Sequence, residues 1–345
     1  MKKILVLAFS LLLAGSVVFA NGTGEDQTAV PTFNGKNVRV VIGSTSTGGD
    51  SYLIAETVSR YLAKELGANM KVDAVGAAKA LDAIKTAKPD GNTIMMFHDM
   101  TYLGISFGAY DKMYSLENMV VGPRIAQNPG SCWAAGINAP YNSLAEIPEY
   151  LKQNPEAIVR MACEAGGVSQ VAFTVFWQWV KDTYGDAIAK RIVVVIGGST
   201  GDKLQLIWDG NCDVMFADYT SLLQYTQTDD QKIALKYMGL MDNIDGVSAL
   251  SYADQKITMN GKEFRFAKDF LIYLPKDFPA ALVSELDAAM KKVNADPGLI
   301  ADLAKMSYRP GKYLNAADSK TFIYDKRDGL QSLIDNAPSL DDLVL

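Results

Sequence analysis

The stretch VVIGSTSTGGDS, residues 40–51, carries an apolar β-branched run straight into glycines and hydroxyl side chains. Residues 193–203, VVVIGGSTGDK, do the same. A short apolar run of this kind reads as a strand buried on both faces. After the first loop, Ile54, Val58, Tyr61, Leu62 and Leu66 mark one face of an amphipathic helix that Gly67 stops. Strand, glycine-rich loop, helix is the unit of a parallel α/β sheet. Glycine lets the backbone turn and lets another molecule approach the peptide groups. The helix start offers unpaired N–H donors and the positive end of the dipole. Such a loop holds an anion without any lysine or arginine. A third loop of this type is EAGGVSQ, residues 164–170. Helix capping alone would also select these residues, and Asp50 and Asp202 read as caps, since a carboxylate would repel an anion.

Working outward, MKVDAV (70–75) and NTIMMF (92–97) read as strands, with a helix over 78–88 and a turn at Pro89-Asp90-Gly91 between them. The order β-α-β-α-β predicts a parallel sheet with right-handed crossovers. The pattern restarts: strands at 157–166, 191–199, 212–218 and 233–241 alternate with helices at 171–185, 201–210 and 219–225. Two α/β units follow, divided near Asn138 to Pro140 and again near Met241 to Gly246. The helical tail from Phe278 has no sheet of its own and is expected to pack on the first unit. The expected organisation is a first lobe of residues 36–138 and 245–345 and a second of 139–244, joined by two hinge-like crossings.

At 345 residues the chain suits two domains. Lys2 and Lys3, the apolar run Ile4 to Leu13 and the small-x-small end Val18-Phe19-Ala20 form an export signal over residues 1–20. Residues 21–35 read as a flexible leader, and no cysteine near the cleavage point suggests a lipoprotein. Losing Lys2 and Lys3 takes the net charge from −6 to −8, which speaks against nucleic acid. Neither the P-loop nor the G-x-G-x-x-G fingerprint is present. Cys132, Cys163 and Cys212 allow buried thiols or a single bridge, with no pair preferred. His98 is the only histidine, so a Ser-His-Asp hydrolase would depend on it, and the G-x-S-x-G elbow is missing. No metal-ligand spacing or cofactor motif occurs, and the expectation is a monomer without catalytic residues. Trp177 and Trp179 lie on different faces of one helix, at least one of them in the core. Arg124 is a candidate partner for a ligand carboxylate, with a surface or interlobe salt bridge the commoner use of such a residue.

AKPDGNTIMMF (87–97) and LIWDGNCDVMFAD (206–218), together with SLAEIPEYLKQNP, GGVSQVAF and YLPKDFP, resemble the solute receptors of tripartite tricarboxylate transporters, the Bug or TctC-like proteins. The resemblance spans about residues 36–312. It implies an α/β periplasmic binding protein fold, type II-like, with two lobes and a hinge. It implies a small carboxylate held between the lobes and delivered to membrane carrier subunits. Carried over by position, the ligand loops fall on Ser44, Thr45, Ser46, Thr47, Gly48 and Gly49, on Gly76 and Ala77, and on Gly167, Ser169 and Gln170. They fall further on Ile196, Gly197 and Gly198, and on Asp218; beside them, the residues themselves offer Ser199 and Thr200 as hydroxyl donors and His98 at a strand end near the cleft mouth. The chain departs from the family pattern in having Gln170 for a histidine and Ile196 for a lysine, and hydroxyl residues replace the prolines of the first loop. The expected function is therefore a periplasmic carboxylate receptor. The alternatives are a receptor for a neutral or zwitterionic metabolite, or a periplasmic enzyme or sensor-linked binding protein.

Overall fold

The structure is a computed structural model that describes residues 30–343. The expected signal at 1–20 and residues 21–29 of the leader lie outside the described residues. In the remainder of that leader, Phe33 is fully buried and its amide donates to Glu285, so the packed chain begins there.

The first half of the chain forms β1 (Asn37–Ile42), α1 (Asp50–Leu66), β2 (Asn69–Ala74), α2 (Ala77–Thr86), β3 (Thr93–Phe97), α3 (Met100–Ser106) and β4 (Val120–Asn128). Next come β5 (Ser131–Gly136), α4 (Glu146–Gln153), β6 (Val159–Cys163), α5 (Val168–Tyr184), α6 (Asp186–Ala189), β7 (Ile192–Ile196), α7 (Thr200–Trp208), β8 (Val214–Asp218), α8 (Tyr219–Thr226) and β9 (Leu235–Leu240). The chain ends with β10 (Thr258–Met259), β11 (Lys262–Glu263), β12 (Lys268–Leu274), α9 (Ala280–Asn294), α10 (Pro297–Ala304) and α11 (Ala316–Asp335).

Two five-stranded sheets result, ordered β2-β1-β3-β12-β4 and β7-β6-β8-β5-β9, with β10 and β11 as a small hairpin. Each is mixed rather than purely parallel, because the chain passes between the sheets. β4 runs with β1 and β3, leaves its sheet at Asn128, and enters the other as β5 at Ser131, antiparallel to β8. On the return, β12 enters between β3 and β4, antiparallel to both. The change of sheet thus falls at residues 129–130, ahead of the division expected at 138–139.

Apolar faces dictate the layers. Val40, Ile42 and Ile94 pack with α1, α9 and α10 on one side of the first sheet. A second core is continuous from Val41 and Phe97 to Trp133, Phe173 and Phe176, so it crosses from one sheet to the other. A third lies between the second sheet and α7 and α8. Trp177 is buried and Trp179 partly so. The three cysteines are free, buried thiols. Among the described residues no helix is long and apolar enough to cross a membrane.

Candidate functional site

Parallel pairing fixes where the strand ends go. β1, β2 and β3 end at one edge of the first sheet, β4 ends there too, and the opposed β12 begins there. In the second sheet β6, β7 and β8 end at a common edge where β5 begins. The two edges face each other: the side-chain amide of Asn128, the last residue of β4, donates to Asp50 Oδ2 at 2.9 Å and also to Asp218 Oδ2, the last residue of β8. This seam gathers the expected loops.

Four helices start at the seam behind glycine-rich turns. Gly49 and Gly76 precede α1 and α2, Gly167 precedes α5, and Ser199 precedes α7. Among the described residues, the amides of Thr47, Gly49, Asp50, Ala77, Ala78, Val168, Ser169, Gly198, Thr200 and Gly201 meet no acceptor. These are the orphan donors that a helix start leaves to solvent or ligand. The first two turns adjoin, because Gly76 N donates to Ser44 O at 3.2 Å. A left-handed φ of +87° makes glycine the natural residue at 76.

The hydroxyls divide into two groups. Ser44 Oγ accepts from Ser46 N, and Ser46 Oγ accepts from Gly48 N, so they shape the first loop while Thr45 and Thr47 remain exposed. Ser169 Oγ accepts from Glu164 N and donates to Glu164 O, and Gln170 Oε1 accepts from Gly166 N. Those two side chains brace their own loop and leave its backbone to face the seam. Ser199 Oγ accepts from Asp202 N at 3.1 Å and is the cap of α7, so Asp202 is not. Asp50 is not a cap either: it is the first residue of α1, and the capping position is Gly49.

Asp50 instead forms an ion pair with Lys268, Nζ to Oδ2 at 2.5 Å, with both side chains nearly buried. Burial alone would raise the Asp50 pKa, but the charge and hydrogen bond of Lys268, with the Asn128 bond, outweigh it and hold the carboxylate below its ordinary range. Burial would lower the Lys268 pKa, and the carboxylates of Asp50 and Asp218 reverse that, lifting it to about 12. Asp218 caps α8 through Thr220 N. Its pKa is raised by burial against the counter-effect of Lys268. His98 lies between Phe97 and Phe270 and accepts from Met100 N. Burial holds its pKa down at about 3, so the ring is neutral. It is a poor general base at neutral pH. On the second sheet, Lys203 is buried and donates to Glu164 Oε1 at 2.8 Å.

Sequence reading did not single out Lys268, Asn128 or Lys203. Lys268 and Asp269 head KDFLIYL, a strand buried along its whole length; two charges opening such a run were the available signal. A buried quartet fixes that strand start. Lys326 Nζ lies 2.6 Å from Asp99 and 2.7 Å from Asp269, and Arg124 lies 3.1 Å from Asp269. Arg124 is thus consumed within the first sheet, by the neighbouring strand β12, and is neither a surface nor an interlobe bridge. Among the described residues no group of His, Cys, Asp and Glu could hold a metal ion. A surface hollow of about 600 Å³ runs beside β1 and β2, lined by Asn37, Arg39, Lys71 and Asp73. Its lining comes from β1 and β2 and includes none of the helix tips.

No family model and no curated protein matches the chain. Solved structures do. A Rhodopseudomonas palustris protein with adipate is 14% identical with a TM-score of 0.69, covering 89% of this chain and 98% of its own. MatC from the same organism, with bound malate, is 16% identical with a TM-score of 0.67, covering 86% and 98%. A TctC solute-binding protein from Polaromonas is 16% identical with a TM-score of 0.62, covering 88% and 99%. At such identities the likeness speaks for architecture, and this chain has the fold of the TctC and MatC type of solute-binding protein.

Proposed function

We propose that the chain is an exported, periplasmic receptor that captures a small carboxylate at the seam and delivers it to the membrane carrier of a tripartite tricarboxylate-type transporter. One lobe is built on the first sheet, with β12 and α9 to α11, and the other on the residues from β5 to β9. The observation that carries this reading is the set of orphan amides at the tips of α1, α2, α5 and α7 on two facing sheet edges. Such donors bind an anion inside an acidic protein because local dipoles, not net charge, make the site. The backbone at Ser44 to Gly49, Gly76, Ala77, Gly167 and Gly198 to Thr200 contributes donors, and Thr45 and Thr47 add hydroxyls. His98 and Asp218 line the floor. The bound malate and adipate of the two R. palustris structures fit this chemistry. The receptor works as a monomer, does no chemistry and uses no cofactor.

Thermal-shift measurements against mono-, di- and tricarboxylates, amino acids and sugars test the proposal. A carboxylate-bearing compound is expected to raise the melting temperature by mass action. Stabilisation by sugars alone would end the carboxylate reading, and turnover of any compound would end the receptor reading.

A further inference from the structure

The charges around the seam say more about the ligand. Each cation there already has a carboxylate: Lys268 has Asp50, Lys203 has Glu164, and Arg309 has Asp242. Among the described residues none is left over to meet the second carboxylate of a dianion. The reverse holds for Asp218. Its oxygens receive the Asn128 amide, Thr220 N at 3.1 Å and Thr220 Oγ1 at 2.6 Å, with the Tyr308 hydroxyl beside it, all uncharged donors; Lys268 acts on it only from a distance, and among the described residues it forms no ion pair. It remains partly exposed at the seam. Ser131 supplies an independent sign. It is fully buried, and its hydroxyl has no hydrogen-bond partner among the described residues. In the β5–β8 ladder Ser131 stands directly opposite Asp218, which puts both side chains on the same face of the sheet. A buried hydroxyl left unpaired costs stability and signals a missing partner.

Resting on the receptor reading above, we infer that the ligand is an amino acid, its ammonium group received by Asp218 and the Ser131 hydroxyl and its carboxylate by the helix tips. An ammonium carries the positive charge that no side chain sets directly against Asp218, and a donor for the unpaired Ser131 oxygen. A hydroxyl in its place brings no charge, and a second carboxylate meets Asp218 with repulsion. The ligand's own zwitterion then matches the seam's arrangement of orphan amides beside two carboxylates, Asp50 and Asp218, that share the single charge of Lys268.

Matched pairs that differ only in ammonium against hydroxyl give the test: aspartate with malate, alanine with lactate, glutamate with 2-hydroxyglutarate. Titration calorimetry on the purified chain is expected to show the amino acid of the best pair binding roughly tenfold tighter or more, the scale of a partly buried charge pair. Asp218→Asn is expected to erase that preference, and Ser131→Ala to weaken it in the same sense. The wild-type panel decides even where a variant folds poorly. Equal or tighter binding of the hydroxy acids overturns this inference and leaves the carboxylate receptor standing. Binding of neither class overturns both.

Discussion

Lys268 is the residue on which the seam's electrostatics turn. Two carboxylates, Asp50 and Asp218, raise its pKa, and it alone pairs with Asp50. Removing it leaves two buried anions near one another, whereas Asp50→Asn leaves the lysine with Asp218 nearby. Breaking a nearly buried pair costs about 3–5 kcal/mol. Lys268→Met is therefore expected at the upper end and Asp50→Asn at the lower, read from urea midpoints at neutral pH. Equal losses would show that Asp218 does not feel the lysine. His98 gives a cleaner signal, because no other histidine exists in the chain. Its folded pKa of about 3 lies below the unfolded value near 6.5, so only the unfolded chain binds its proton between those limits. Stability from this group is complete above pH 6.5 and is lost as pH falls below it. Asp50, lowered, also loses its contribution in acid, beginning near pH 4; Asp99 and Asp218, raised by burial, act in the opposite direction as they protonate. The imidazole resonances of His98 are expected to stay constant from pH 5 to 8. Titration near pH 6.5 would place the ring in water and remove it from the floor of the seam.

Secondary-structure elements differ in how plainly they were written. β1 and β7 were legible because each is a β-branched apolar run closed by glycine, and β3 and β8 because each is a short apolar run that follows an Asp-Gly turn; all four fall within a few residues of the reading. β4 escaped because Gly122 and Pro123 interrupt it. As an edge strand with a bulge against β12, it tolerates the missing donor. β5, SCWAAG, is too small and short to show a period, and β12 follows a segment without apolar rhythm. The loops of the candidate site were legible for the same reason as their strands. Two side chains of the seam were not, since Asn128 and Lys268 reach Asp50 and the neighbourhood of Asp218 only through the sheet order. The tip of α7 carries a prediction of its own. A Cβ at Gly198 would find nothing nearer than Asp202 Oδ2 at 3.6 Å, so a larger side chain fits but lies over the open amides. Gly198→Leu is expected to weaken ligand binding by about tenfold or more, the loss of one or two charge-assisted bonds. Asp202→Asn removes only a charge from the first turn and is expected to change binding far less. Calorimetry giving the reverse order would reject backbone donors as the source of affinity.

Across the whole molecule, the sheets are joined by more than the two covalent crossings. Gln127 and Arg309 bridge backbone to backbone, and the Tyr308 hydroxyl reaches Asp218 and Thr220, so the segment after α10 straps the seam. At a separate point, the turn before α5 closes on the turn after α3. A Cβ at Gly166 would lie 2.7 Å from the Ala109 Cβ and 3.7 Å from the Gly104 Cα, atoms of the first half of the chain. Any side chain at 166 therefore props the two halves apart. It also strains the backbone, because Gly166 has a φ of +75°. Gly108 separates these two effects: its φ is +76°, and a Cβ there would meet nothing within 4 Å. Gly108→Ala thus bears the left-handed strain, on the order of 1 kcal/mol, without the wedge. If binding requires the halves to close at this point, Gly166→Ala should release ligand several-fold faster than Gly108→Ala at matched loss of melting temperature. Stopped-flow dissociation and small-angle scattering of the ligand-saturated proteins would show it, with the larger radius of gyration expected for Gly166→Ala. Identical dissociation rates and radii would mean that the contact between Gly166 and Ala109 is packing alone, and that closure over the ligand depends on the Tyr308 strap instead.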